Sequence, residues 1–207
     1  MLDATVIRIL AILMAIGSIV GFVAFRRRHA PRIRPPDVRA EANPPRVLQI
    51  VWPTVIAVAA LYPWIAALLP QLAYGTILNV SFPLDDVVQL AGFLLWGAGG
   101  AVVIWSARAL GRFMVLEIVV SKDHELIQTG PYAYVRHPTY AGAMAMAIGA
   151  SMLFLSVVLV ALAALTVILA NYRARREERL LSSFEGFGES YKAYMAQTGR
   201  FLPRLRI

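Results

Sequence analysis

The chain has 207 residues, 59% of them hydrophobic and only 15% charged, with a mean hydropathy of +0.65; a soluble domain averages about 45–50% apolar and about 25% charged residues. That balance excludes an ordinary soluble enzyme and equally a disordered or collagen-like chain, and the absence of cysteine excludes disulfides, Cys-type zinc sites and thiolate nucleophiles. The 20 Lys and Arg against 12 Asp and Glu leave a net charge of +8, which in a soluble protein would suggest nucleic acid but here, by its placement, indicates a membrane.

A membrane helix needs about 20 mostly apolar residues to cross a hydrocarbon layer of about 30 Å. Ala4–Phe25 meets that length, with Arg8 close enough to its end to snorkel to the interface. The basic cluster follows this run and no small-residue cleavage site is obvious, so it is expected to be a retained anchor rather than a secretory signal. Arg26–Arg46 is rich in Arg and Pro and is expected to be an extended, solvated arm near anionic lipid. Val47–Leu69 is a second span, containing Pro53 and Pro63, which membrane helices tolerate when neighbours satisfy the freed carbonyls. Val87–Ala107 is a third, where Gly92, Gly97, Gly99 and Gly100 offer a smooth face for helix packing.

The last apolar stretch, Tyr140–Tyr172, would run about 50 Å as one helix, far more than a bilayer needs. The charges suggest that it folds back instead. Lys and Arg collect in cytoplasmic loops, and Pro70–Asp86 has none, whereas Arg108, Arg112, Lys122 and Arg136 precede the stretch and Arg173 to Arg206 follow it. A hairpin turning at Leu155–Ser156 puts every basic residue except Arg8 on one side, with the N-terminus outside and the C-terminus in the cytoplasm. The expected fold is therefore all-α, a polytopic membrane bundle of about five transmembrane helices ending in a short helical hairpin. Its first three spans and the basic arm (1–112) form a scaffold, and 113–207 form the functional region.

Two polar segments are too specific to be plain connectors. One holds His124-Glu125-Leu126-Ile127, the turn Gly130-Pro131-Tyr132, and Arg136-His137-Pro138-Thr139-Tyr140 at the start of a span. Pro138 suits the first helical position, and the helix start after His137 favours an anion. The other continues from the last span with Arg173, Glu177 and Glu178, the first two sharing a helix face. Each has a plain reading: an interfacial cap for His137, a surface ion pair for Arg173 and Glu177, an aromatic belt for Tyr132, Tyr134 and Tyr140.

Taken together, GPYAYVRHPTYAG, then RxxxEExxL about thirty residues later, then GxxYxxY and RFLP resemble the isoprenylcysteine carboxyl methyltransferase family, from about Glu117 to Pro203. Membrane phospholipid N-methyltransferases share parts of the pattern. The resemblance implies S-adenosylmethionine as methyl donor, in a cytoplasm-facing pocket. It implies cofactor contacts from His124, Leu126, Ile127, Tyr132, His137, Pro138, Thr139, Tyr140 and Glu177, and contact of Arg173 with the carboxylate of a lipophilic, isoprenylcysteine-like substrate. HELI stands where the family has HxLV, a mild departure, and the compact chain fits a prokaryotic-type member, which argues against a protein CaaX substrate. No metal and no nucleic acid enter this reading, and the partners it implies are the lipophilic substrate and membrane lipid.

The residue chemistry agrees with this picture. Glu177 suits the ammonium or ribose of the donor, His124 and the Pro138 helix start suit its carboxylate or ring edges, and Tyr132 and Tyr140 can shield a sulfonium by cation–π contact. Gly97–Gly100 lies inside an apolar span with no strand before it, so it reads as packing rather than a nucleotide loop. Two alternatives stay open: N-methylation of an aminophospholipid, with Glu178 or His137 as base, and a non-catalytic membrane scaffold of the same shape.

Overall fold

The computed structural model describes residues 1–28, 38–114, 117–121 and 123–204; the central part of the Arg/Pro-rich arm, with Arg32 and Arg34, and also Lys122 and Arg206, lie outside the described residues. The apolar stretches form α1 (Ala4–Arg28), α2 (Arg46–Leu68), the single turn α3 (Pro70–Ala73) and α4 (Asp85–Leu110). They continue with α5 (Pro138–Phe154), α6 (Val157–Leu181) and the peripheral α7 (Glu189–Gln197). Among the described residues, four helices are long and apolar enough to cross a membrane; α5, with 17 residues, reaches about 26 Å, at the lower limit for a span. Ile9, Ile16, Val20, Leu61, Leu94 and Ile168 point outward from the bundle and are exposed. Such an apolar girdle is a liability in water and ordinary against lipid.

The last two helices form the expected hairpin, broken at Leu155 and Ser156. Leu155 adopts the left-handed conformation (φ 48°), which costs a leucine roughly 1–2 kcal/mol. The loop before α4 holds it there. The Asn79 amide donates to the Phe154 carbonyl (2.8 Å), Val80 N–H donates to Leu155 O (2.9 Å) and Val157 N–H donates to Leu78 O (3.0 Å). These bonds satisfy backbone groups that a broken helix would otherwise leave bare in a low-dielectric setting.

Helices α4 and α5 pack antiparallel with backbones almost touching. A Cβ at Gly149 would lie 2.5 Å from the Gly92 carbonyl oxygen, and one at Gly99 would lie 2.6 Å from that of Gly142. Gly92 and Gly99 therefore form the predicted smooth face, whereas Gly97 and Gly100 meet nothing within 4 Å and take no part in it. Gln89, fully buried in α4, donates to Leu153 O (2.7 Å) and ties the same pair together. Helix α1 packs on the far end through Ile7, Ala11 and Met14, clustered with Ala66, Ala67, Phe154 and Leu159. Arg8 donates from Nε to the Ala67 carbonyl (2.9 Å), capping the end of α2 rather than simply reaching for the interface.

One sequence expectation fails in part. The described portion of the arm is not a solvated coil: Val38–Glu41 (β1) pairs antiparallel with Val119–Ser121 (β2). Ala40 is buried there with Ile118, Val120 and Leu180, so the apolar contact outweighs the freedom of an exposed linker. The 1–112 and 113–207 segments are thus interleaved at this point.

Candidate functional site

The C-terminal ends of α4 and α6 and the N-terminal end of α5 meet at the end of the bundle opposite the hairpin turn. Between them and α7 lies an open-mouthed cavity of about 130 Å³. Its walls include His124, Leu126, Ile127, Tyr132, His137, Thr139, Tyr140 and Glu177. Eight of the nine residues expected to contact a cofactor thus converge on one space. Pro138, the ninth, is fully buried at the first turn of α5 and shapes the helix start without facing the cavity.

His137 joins the two polar segments. It precedes α5, its N–H donates to Arg200 O (3.0 Å), and Arg136 N–H donates to Gly199 O (2.9 Å). The RHP and RFLP motifs thereby run side by side. The His137 ring lies between two carboxylates, with Nε2 3.2 Å from Glu178 Oε1 and Nδ1 3.7 Å from Glu177 Oε2. It also stacks on Tyr140 (5.5 Å, 20°).

The two adjacent glutamates do different work. Glu177 lines the cavity with its side chain 33% exposed, and accepts a hydrogen bond from the Tyr140 hydroxyl (3.1 Å). Glu178 is 4% exposed and faces away from the cavity. It accepts from Arg136 Nε (2.9 Å), from Arg200 Nη2 (2.5 Å) and from Arg200 Nε (3.1 Å). Sequence reasoning assigned Glu178 no site role beyond a base for the amine alternative. With both oxygens engaged by cations, it is a poor proton acceptor and an effective staple between α6, the start of α5 and the tail. The signal was present in the sequence as two arginines flanking the motifs, but their common partner depends on which face of α6 turns inward.

Aromatic residues complete the walls. His124 stacks on Phe113 (4.5 Å, 9°) and meets Phe187 edge-on (5.6 Å). Its Nδ1 is buried and has no hydrogen-bond partner among the described residues. Burial, reinforced by the Arg112 charge and opposed by Asp123, holds the His124 imidazole below its ordinary value, so near neutral pH it is uncharged. The Tyr194 hydroxyl, pushed up to about 12 by burial, donates to Tyr132 O (2.6 Å) and ties α7 to the cavity turn. Neither Phe113 nor Phe187 nor α7 was singled out as part of the site from the sequence.

Arg173 lies outside the cavity wall. It is 7% exposed on α6, one turn before Glu177, and its guanidinium lies 5.6 Å from the ring centre of Trp52 on α2. Trp52 in turn meets Tyr140 edge-on (5.8 Å, 87°), and the Tyr140 hydroxyl interacts with Arg173 as well as Glu177. Tyr140 therefore stands between the cavity and the buried Arg173 side chain packed against α2.

Several apolar helices of spanning length indicate a multi-pass membrane protein, and among the described residues an aromatic-walled cavity opens at one end of the bundle. Residues 92–183 match the isoprenylcysteine carboxyl methyltransferase (ICMT) family. It is 40% identical over 86 residues to the protein-S-isoprenylcysteine O-methyltransferase of Schizosaccharomyces pombe, covering 40% of this chain and 35% of that protein. The Mus musculus protein of the same name is 33% identical over 92 residues (44% and 32%), and the Homo sapiens protein 34% over 86 residues (42% and 30%). The alignments span about a third of the length of these relatives. The fold is similar to the solved structure of the eukaryotic intramembrane Ras methyltransferase ICMT, with a TM-score of 0.51 and 20% identity over 76% of this chain and 51% of that one.

Proposed function

We propose that the chain is an integral-membrane, S-adenosylmethionine-dependent methyltransferase that O-methylates a carboxylate on a lipophilic, isoprenylcysteine-like acceptor. The observation that carries this reading is the convergence of His124, His137, Tyr140 and Glu177 on one cavity, in a region that matches a methyltransferase family. The cavity chemistry fits the donor. Glu177 offers a carboxylate to ammonium or hydroxyl groups, and the unpartnered His124 Nδ1 offers a buried polar atom to a ligand. The Phe113–His124 pair and Tyr132 offer flat faces to a ring or a cation. When bound, S-adenosylmethionine supplies an electrophilic methyl group on a sulfonium centre.

The remaining work is positioning. Arg173 holds the acceptor carboxylate through its planar guanidinium. A carboxylate titrates near 4 and is ionised at neutral pH, so no general base is needed and orientation supplies most of the catalysis. Esterification removes the charge, which weakens the hold of Arg173 and favours release. Tyr140, touching both Glu177 and Arg173, marks the boundary where donor and acceptor meet. The acceptor reaches Arg173 from the lipid, and the donor enters the open cavity from the cytoplasm, where the basic residues lie.

Titration with S-adenosylhomocysteine tests the donor half. Wild type binds, Glu177→Ala loses affinity, and Arg173→Ala keeps affinity but loses transfer to a prenylated thiol acid. No binding by folded wild type would leave the scaffold reading in its place. Release of labelled methanol on mild base treatment identifies an ester; a labelled product stable to base would favour the amine alternative. Accessibility labelling of a cysteine placed at Ser182 checks the cytoplasmic orientation.

A further inference from the structure

The wall segment carrying His124, Leu126 and Ile127 is held from behind by the link between the first two spans. Ala42 N–H donates to Ile118 O (2.9 Å), and the Asn43 side-chain oxygen accepts from Ile118 N–H (2.9 Å). Asn43 is itself anchored: Arg176 donates from Nε to Ala42 O (3.0 Å) and from Nη2 to Asn43 O (3.1 Å). Ile118 and Leu180 are buried together and also line the cavity. From Ile118 the chain runs through β2 to the turn closed by His124 N–H on Ser121 O (3.1 Å), which delivers the His124 ring to Phe113. Arg176 directly precedes Glu177 on α6, so one relay connects the two opposing walls.

We propose that Asn43 and Arg176 are positioning residues of the donor site, setting where His124 stands relative to Glu177. Asn43 lies outside the family-matched region, so this part of the site is supplied by the chain's N-terminal half. The physical reason is backbone satisfaction. Ile118 N–H is buried with its residue, a side-chain acceptor reaches it, and without that acceptor the segment must shift to regain a partner. Binding sites tolerate little looseness in such supports; displacement by about 1 Å can cost orders of magnitude.

The ligand's identity rests on the function proposed above, whereas the relay does not, and two readouts keep them apart. The first is the Kd for S-adenosylhomocysteine. The second is the NMR shift of the His124 ring protons, which the stacked Phe113 ring displaces and which needs no ligand. Asn43→Leu, similar in shape but without an acceptor, is expected to move the His124 resonance toward its solution position and to raise Kd about tenfold. Asn43→Asp keeps the acceptor and is expected to restore both to near wild type. Arg176→Lys, keeping the charge but losing the fork, gives an intermediate rise and serves should Asn43→Leu fail to fold. The KM for donor rises in Asn43→Leu and Arg176→Lys and that for acceptor does not. An unmoved His124 resonance in folded Asn43→Leu, or a moved resonance with unchanged Kd, overturns the proposal. If wild type itself binds no S-adenosylhomocysteine, the proposed function fails while the resonance still decides the relay.

Discussion

Substituting Glu178 by Gln isolates the ion cluster that joins α5, α6 and the tail. The carboxylate is 4% exposed and engages Arg136, His137 and Arg200. An amide keeps one acceptor oxygen and turns an NH2 group toward guanidinium donors, leaving buried positive charge without compensation. Breaking one side of a buried ion pair costs about 3–5 kcal/mol. The Arg200 side chain is 31% exposed and recovers part of its hydration, which places the expected loss toward the lower end of that range. At roughly 2–4 °C per kcal/mol for a chain of this size, the melting temperature in detergent should fall by roughly 10 °C. Glu177→Gln is the matched control. Its side chain is one-third exposed and its partners are the Tyr140 hydroxyl and, at 3.7 Å, His137 Nδ1, so the expected loss is about 1 kcal/mol or less. Thermal unfolding followed by tryptophan fluorescence compares the pair. Equal melting temperatures for Glu178→Gln and wild type, or a larger drop for Glu177→Gln, would refute the division of labour between the two glutamates.

Further outcomes follow from the geometry. Gly149→Ala drives a Cβ into the Gly92 carbonyl and the Trp96 backbone and should cost about 1–3 kcal/mol, whereas Gly97→Ala, facing open space, should be neutral or slightly stabilising; denaturant titration of the two variants checks the contrast. His124 has its imidazole held below the ordinary 6.5 by burial, so its neutral form belongs to the folded state. The associated stability is complete above pH 6.5 and is lost as pH falls toward and through the lowered value. His124→Asn should flatten that slope in melting curves taken across pH 5–7.5. Leu84 caps α4 with a left-handed φ of 65° while 73% exposed, so Leu84→Gly should raise stability by roughly 0.5–1 kcal/mol, read as a higher melting temperature.

The separation of charge along the bundle bears on how such a site can work. The hairpin end, where Asn79 caps Phe154, adjoins the connection that lacks Lys and Arg, from Pro70 to Asp86. The cavity end gathers Arg136, Arg173, Arg176 and Arg200 around two glutamates. The buried cations are paired or lie against aromatic rings, so the polar machinery is held at the bundle end and the apolar middle is left undisturbed.

Hydropathy and charge alone determined the spans, because a helix in lipid satisfies its own backbone and its length is fixed by bilayer thickness. The charge layout favoured folding the last apolar stretch back, and of the nine contacts that the family resemblance implied, eight line one cavity. Tertiary structure decided matters of facing and partnership. The break falls at Leu155, a residue with no intrinsic liking for a left-handed turn, because a distant loop supplies the hydrogen bonds that hold it there. The Glu177–Glu178 doublet is symmetrical on paper; only the packed rotation of α6 sends one carboxylate to the cavity and the other to Arg136, Arg200 and His137. Arg173 stands behind Tyr140 under a tryptophan from α2, and part of the arm pairs as a strand behind His124. Long-range contacts of this kind depend on three-dimensional register, which local sequence pattern does not encode.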